Sequence, residues 1–264
     1  MYKLIFALAC VAHAAAAQAA EPSPLVDFRS KESIARLNRS TDKVDFFHLV
    51  NQFEAQENRA DCGPTTAVIV LNTLRDENPQ IEKPRDPSAF PSEYARLLPP
   101  GMNPVSARYT QRAFFDDKMA KVKTREEFYG KPKSAGAKPD PGLQLRQLDG
   151  ILKENGLDVQ LRVADEKLSD ETIRKELIEN LKNENDYVIV NYFRPALGQK
   201  GGGHISPLGA YDSESDSFLI LDVNATEHPW VWAPAKALIA AMRAKDTIES
   251  RGYLLVREGI KGGK

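Results

Sequence analysis

Cysteine is almost missing from this chain: two occur in 264 residues, at positions 10 and 62. Cys10 sits in an apolar N-terminal run, so a processed chain would keep one thiol and no internal disulfide could staple it. That lone cysteine and four scattered histidines give no ligand spacing for a tight metal site, which counts against a non-catalytic thiol or metal carrier. An excess of one charge is missing too. Lysine and arginine number 36 against 37 acidic residues, so neither nucleic acid nor an anionic membrane surface is implied as a partner. The apolar run from Leu4 to Ala17 is too short for a membrane span and no anchor follows it. Preceded by Lys3 and ended by Gln18-Ala19-Ala20, it reads as a secretory signal peptide over residues 1–19, so the mature chain is expected in the periplasm or outside the cell, free of the membrane. Leu8-Ala-Cys10 resembles a lipoprotein site only faintly, because the apolar run continues past Cys10.

What the chain does contain divides by pattern. Residues 20–44 are polar, a loose lead-in with a short helix suggested at Ile34–Leu37. Phe46–Phe53 fits a helix or a strand, and its His48 reads as structural. From Cys62 the chain runs Gly63-Pro64 and then nearly unbroken apolar residues to Leu74, a buried helix beginning at about Pro64. Seven prolines between Asn78 and Pro104 exclude a long helix or central strand there and predict a surface insertion. Tyr109–Phe115 suggests a short helix, and Lys131–Pro141 a second loop. Helices are predicted from Leu143 to a stop at Asn155-Gly156 and from Ser169 through Leu181, strands at Leu157–Val163, Tyr187–Phe193, Ile205–Tyr211, Ser217–Val223 and Arg251–Val256, and a helix at Ala235–Met242. The fold class is α+β, with a helical first part and an antiparallel sheet in the second.

Three residues stand out chemically. Cys62 opens a helix, where unpaired N–H groups and the positive end of the macrodipole favour a thiolate. His204 follows Gly201 to Gly203, glycines that let backbone approach a substrate closely, and starts a strand. Asp222 lies eighteen residues further on, inside an apolar stretch where an unpaired carboxylate is costly. A histidine on a neighbouring strand would pair it and turn its other ring nitrogen to the thiol, making a nucleophile and an acid for a leaving amine. Gln56, six residues before Cys62, is positioned in sequence to offer its amide to an oxyanion hole. Trp230 and Trp232 either line the cleft or simply pack, and His228 reads as a loop residue.

A glutamine six residues ahead of a helix-starting cysteine, then a histidine and a carboxylate on adjacent strands, resembles the papain-like cysteine peptidase superfamily. Asn58-x-Ala60-x-Cys62-Gly63, Val188–Tyr192, Gly201-Gly-Gly-His-Ile-Ser-Pro207, Phe218–Val223 and Arg251-Gly-Tyr253 more narrowly resemble phytochelatin synthase, over about residues 45–257. The resemblance implies a papain-like fold and catalytic roles for Cys62, His204 and Asp222, with Gln56 in the oxyanion hole. The implied reaction removes glycine from glutathione through a γ-glutamylcysteinyl thioester, which passes to water or to a second glutathione. Substrate contacts are implied at Asn191, Arg194, Gly203, Asp246 and Arg251, because a γ-glutamyl group presents an amino and a carboxylate charge that each need a partner. No resident cofactor or metal is implied; heavy-metal ions enter as glutathione thiolates, and a homodimer is left open. The sequence stops at Lys264, after a tail over 258–264, without the cysteine-rich region of the plant enzymes, so hydrolysis is expected to dominate over polymer synthesis. The rival reading is a general papain-like peptidase acting on exported peptides.

Overall fold

The computed structural model describes residues 25–76, 78 and 80–259. The segment read as a signal peptide and most of the C-terminal tail lie outside them. In chain order the elements are β1 (Val26–Asp27), α1 (Lys31–Arg39), α2 (Val44–Asn51), α3 (Cys62–Arg75), α4 (Asp117–Ala120), α5 (Arg125–Phe128), α6 (Leu145–Glu154), β2 (Leu157–Val163), α7 (Asp170–Asn180), β3 (Asp186–Phe193), β4 (Gly203–Asp212), β5 (Ser217–Ile220), β6 (Val231–Pro234), α8 (Ala235–Arg243) and β7 (Gly252–Glu258). All strand pairs are antiparallel, in the order β1-β6-β5-β4-β3-β7-β2. This is the mixed helix and antiparallel-sheet arrangement of the α+β class.

Successive side chains on a strand face opposite ways, and here both faces are covered. On β3, Tyr187 and Ile189 join the core built with α3 and α6, while Val188, Val190 and Tyr192 join the one built with α7 and α8. Burial on both sides explains why this strand reads as one continuous apolar run.

The division into helical and sheet halves needs correction. Strand β1 comes from the start of the chain and pairs Val26 with Trp232, while α6, α7 and α8 alternate with strands in the second part. The stretch read as a loose lead-in is therefore part of the fold. Trp232 is fully buried and donates its indole N–H to Ser33 Oγ at 2.8 Å, so it packs rather than lining a cleft, and Arg39 holds Asp212 at 2.6 Å. Three local expectations also change. Tyr109–Phe115 forms turns, not a helix. Helix α3 starts at Cys62 itself. Strand β5 ends at Ile220, so Asp222 lies just beyond it, freed from the ladder to turn toward β4. The proline-rich stretch forms two short 3₁₀ turns, Pro87–Ala89 and Ser92–Leu97, within irregular chain.

Candidate active site

The site lies where the N-terminus of α3 meets β4. Helix α3 is buried along its length from Gly63 to Asn72, and Thr66 Oγ1 donates to the carbonyl of Ile205 at 3.2 Å, which fixes the helix beside His204. Gln111, itself buried, ties down the loop ahead of the helix. Its Oε1 accepts from Glu57 N at 2.9 Å and Thr65 Oγ1 at 2.6 Å, and its Nε2 donates to Ala55 O at 2.9 Å.

His204 sits on β4 opposite Tyr192 of β3. Its Nε2 lies 2.9 Å from Asp222 Oδ1 and 2.9 Å from Ser206 Oγ, which leaves Nδ1 for the thiol of Cys62. Burial opposes ionisation of Cys62, but the His204 hydrogen bond and charge, with backbone N–H groups of Ile205 and Gly63, hold the thiol below its ordinary value. Burial likewise pulls His204 down, yet Asp222 and Cys62 together raise it. Both shifts favour a thiolate–imidazolium pair.

Asp222 is fully buried and saturated. Besides His204, it accepts from Arg194 Nη1 at 2.7 Å, Arg194 Nη2 at 3.0 Å, Tyr192 Oη at 3.2 Å and Asn224 N at 2.8 Å. Burial works to raise its carboxyl, and the His204 and Arg194 contacts overcome that and hold it far below the usual carboxylate range. Arg194, expected at the substrate, is thus spent on Asp222 and on Gln199 Oε1 at 3.0 Å, and it lies outside the cavity lining. Sequence reading missed Ser206 and Tyr192. Two-residue spacing along a strand and cross-strand pairing put each on the His204 face, so the signal was present.

Cys62 and His204 open into a cavity of about 350 Å³. One wall is a charged cluster: Arg251 Nη1 lies 2.9 Å from Asp246 Oδ2 and donates to Asn191 Oδ1 at 2.8 Å, and Arg251 Nη2 donates to Asp246 Oδ1 at 3.0 Å. Gly203 packs against this cluster, and a Cβ there would push the Arg251 guanidinium aside. Of the five residues expected at a substrate, Asn191, Gly203, Asp246 and Arg251 therefore share this cavity. A second part of the lining, Asp140 to Gln144, comes from the end of the Lys-Gly-Pro loop, which composition alone did not tie to a site. It is held by the buried Lys123, whose Nζ reaches Asp140 O at 2.6 Å, Asp140 Oδ2 at 3.1 Å, Gly142 O at 2.8 Å and Gln147 Oε1 at 3.2 Å. Gln56 is not among the lining residues. Its Nε2 donates to Asn58 O at 2.8 Å, its backbone N–H donates to Val223 O at 2.8 Å, and its Oε1 is buried without a partner. A larger cleft of about 860 Å³ lies by the proline-rich segment and touches none of these groups. Among the described residues, no group of three His, Cys, Asp or Glu side chains is placed to hold a metal ion, and no helix is long and apolar enough to cross a membrane.

A thiol facing an imidazole that is oriented by a buried carboxylate is an arrangement competent for acyl transfer through a thioester. The sequence matches the phytochelatin synthase family over residues 16–91 and 97–253, and the chain belongs to that family. It is 28% identical over 247 residues to glutathione gamma-glutamylcysteinyltransferase 3 of Lotus japonicus, covering 88% of this chain and 42% of that protein. It is 26% identical over 238 residues to glutathione gamma-glutamylcysteinyltransferase 2 of Arabidopsis thaliana, covering 88% of this chain and 45% of that protein. A shorter match, 31% over 117 residues, is to the glutathione gamma-glutamylcysteinyltransferase of Schizosaccharomyces pombe, with 44% of this chain and 28% of that protein covered. The chain spans less than half the length of these relatives.

Proposed function

We propose that this protein is a thiol acyltransferase that takes glycine from glutathione through a γ-glutamylcysteinyl thioester on Cys62. The observation that carries the reading is the presence, in one cavity, of the Cys62–His204 pair and the Asp246–Arg251–Asn191 cluster. A γ-glutamyl group ends in an ammonium and a carboxylate; Asp246 meets the first and Arg251 the second, and a desolvated α-peptide chain would satisfy neither. The thiolate attacks the Cys–Gly carbonyl carbon of glutathione, and the C–N bond breaks as the His204 imidazolium gives its proton to the leaving glycine amine. The backbone N–H of Cys62, at the start of α3, serves the developing oxyanion, whereas Gln56, turned to Asn58 O and outside the cavity lining, does not face it. Asp222 holds the imidazole with Nδ1 turned to sulfur, and Arg194 with Tyr192 keeps Asp222 ionised and fixed.

Water or the amine of a second glutathione then attacks the thioester. The acceptor must be bound and oriented to compete with water, which holds the advantage until acceptor concentration is high. Metal–glutathione thiolates enter as acceptor or donor substrates, and no resident metal takes part. We further read the fold as papain-like, with a nucleophile at the start of a buried helix packed on the strand that carries histidine. Residues 1–19 are read as a signal peptide, placing the mature enzyme in the periplasm or outside the cell.

The test is a product time course by mass spectrometry across glutathione concentrations. Glycine and γ-glutamylcysteine should dominate at low millimolar glutathione, with the chain-extended product rising as concentration rises. Cleavage of denatured protein without glycine release from glutathione would replace this reading with a general peptidase.

A further inference from the structure

The cavity holds a second arginine that the reaction above leaves unused. Arg59, three residues before Cys62, lines the same space, and among the described residues its one ion pair is with Glu227, at 2.9 Å from Nε and 2.5 Å from Nη2. Both partners are open to solvent, Arg59 87% and Glu227 40% exposed, so the pair exchanges easily with a competing anion. Strand order places the two arginines on opposite sides of His204. Glu227 lies in the connection between β5 and β6, on the β5 flank of β4. Asn191 on β3 and Arg251 ahead of β7 lie on the other flank. The thiol therefore stands between the Arg251–Asp246 clamp and a solvent-exposed cation.

We infer that Arg59 forms the leaving-group subsite, binding the carboxylate of the departing glycine, and that the same subsite receives the acceptor. The inference rests on the glutathione reading above. Glutathione carries two carboxylates; Arg251 takes the one at the γ-glutamyl end, and the glycyl one needs a cation on the far side of the scissile bond. The departing group is an amine with a carboxylate one carbon away. The attacking end of a second glutathione is the same: its α-amine, with its α-carboxylate one carbon away. In transfer that amine loses a proton to His204, its nitrogen bonds to the thioester carbonyl, and the C–S bond breaks to return the thiolate. One subsite for an α-amino carboxylate thus serves glycine on the way out and the acceptor on the way in. Its solvent exposure makes it weak, which fits an acceptor that competes poorly with water.

The experiment compares glutathione with its C-terminal amide, in which the glycyl carboxylate is a neutral carboxamide. For the wild-type protein, kcat/KM for glycine release should exceed that for glycinamide release by about three- to fivefold. Arg59→Met should lower the glutathione value to that of the amide while leaving amide turnover unchanged, which also shows that the fold is intact. The share of chain-extended product should fall in parallel. Arg59→Lys should keep part of the discrimination, and Glu227→Gln, which frees Arg59, should keep all of it. An Arg59→Met protein that retains the wild-type ratio would overturn the subsite. A wild-type protein that releases no glycine from glutathione fails differently, by removing the glutathione reading itself and this inference with it.

Discussion

Asp222 does two jobs, and a single substitution separates them. It orients His204, and it is the counter-ion of the buried Arg194. Asparagine can still orient the ring, so Asp222→Asn should cost less activity than the roughly 10⁶-fold expected for His204→Ala or Cys62→Ser. It should nonetheless destabilise the protein by about 3–5 kcal/mol, because a buried guanidinium loses its partner. Adding Arg194→Met should recover part of that stability in thermal unfolding; strict additivity of the two losses would contradict the coupling. The pH behaviour has a fixed sign. The thiol is held low and the imidazole high, so the ion pair is lost as pH falls through the thiol value and again as it rises through the imidazolium value. Alkylation of Cys62 should therefore reach its full rate at a lower pH than for an ordinary thiol, and in His204→Ala the profile should move up toward the range of an ordinary thiol. Asp222, depressed in the fold, adds stability at neutral pH that is lost as pH falls through and below the ordinary carboxylate range.

At the scale of elements, two walls are supplied by quite different means. The Asp246–Arg251 wall rests on the turn between α8 and β7, where Lys245 and Ser250 form a β-bridge. The Asp140–Gln144 wall has no regular structure and depends on Lys123, 5% exposed, donating to four acceptors. Lys123→Met should destabilise the protein by about 2–4 kcal/mol and raise KM more than it lowers kcat, since the wall loosens while the triad stays. Equal loss in both constants would place Lys123 in the chemistry instead. These elements also show what the sequence could convey. Helix α7 was legible because Ser169 caps it, accepting from Thr172 N, and β3 because six apolar or aromatic positions, interrupted by Asn191 alone, run together. Cys62 and His204 were legible from a helix start and a glycine run. Strands β1 and β6, two and four residues long, carry no period that could announce them. The Asp140–Gln144 wall is made by long-range contact with Lys123, and no local pattern encodes such a contact. Arg194 was found but misassigned, because charge alone cannot tell a guanidinium facing substrate from one facing a buried carboxylate.

On the scale of the whole molecule, the sheet acts as a ruler. Strand β4 places His204, its neighbour β5 leads into Asp222, and β3 with the approach to β7 supplies Asn191 and Arg251. Helix α3, pressed on β4, brings the thiol to the same edge. Cores on both faces hold these parts in register, so the spacing between nucleophile and ion-pair clamp is a property of the fold. The central claim is that this spacing delivers the Cys–Gly carbonyl of glutathione to Cys62. Intact-mass measurement of protein mixed with glutathione and quenched in acid tests it directly. The protein should gain the mass of glutathione less glycine, on Cys62, absent in Cys62→Ser and unaffected by a phosphine reductant. An adduct that keeps glycine and is removed by reductant would be a mixed disulfide, and would contradict the thioester.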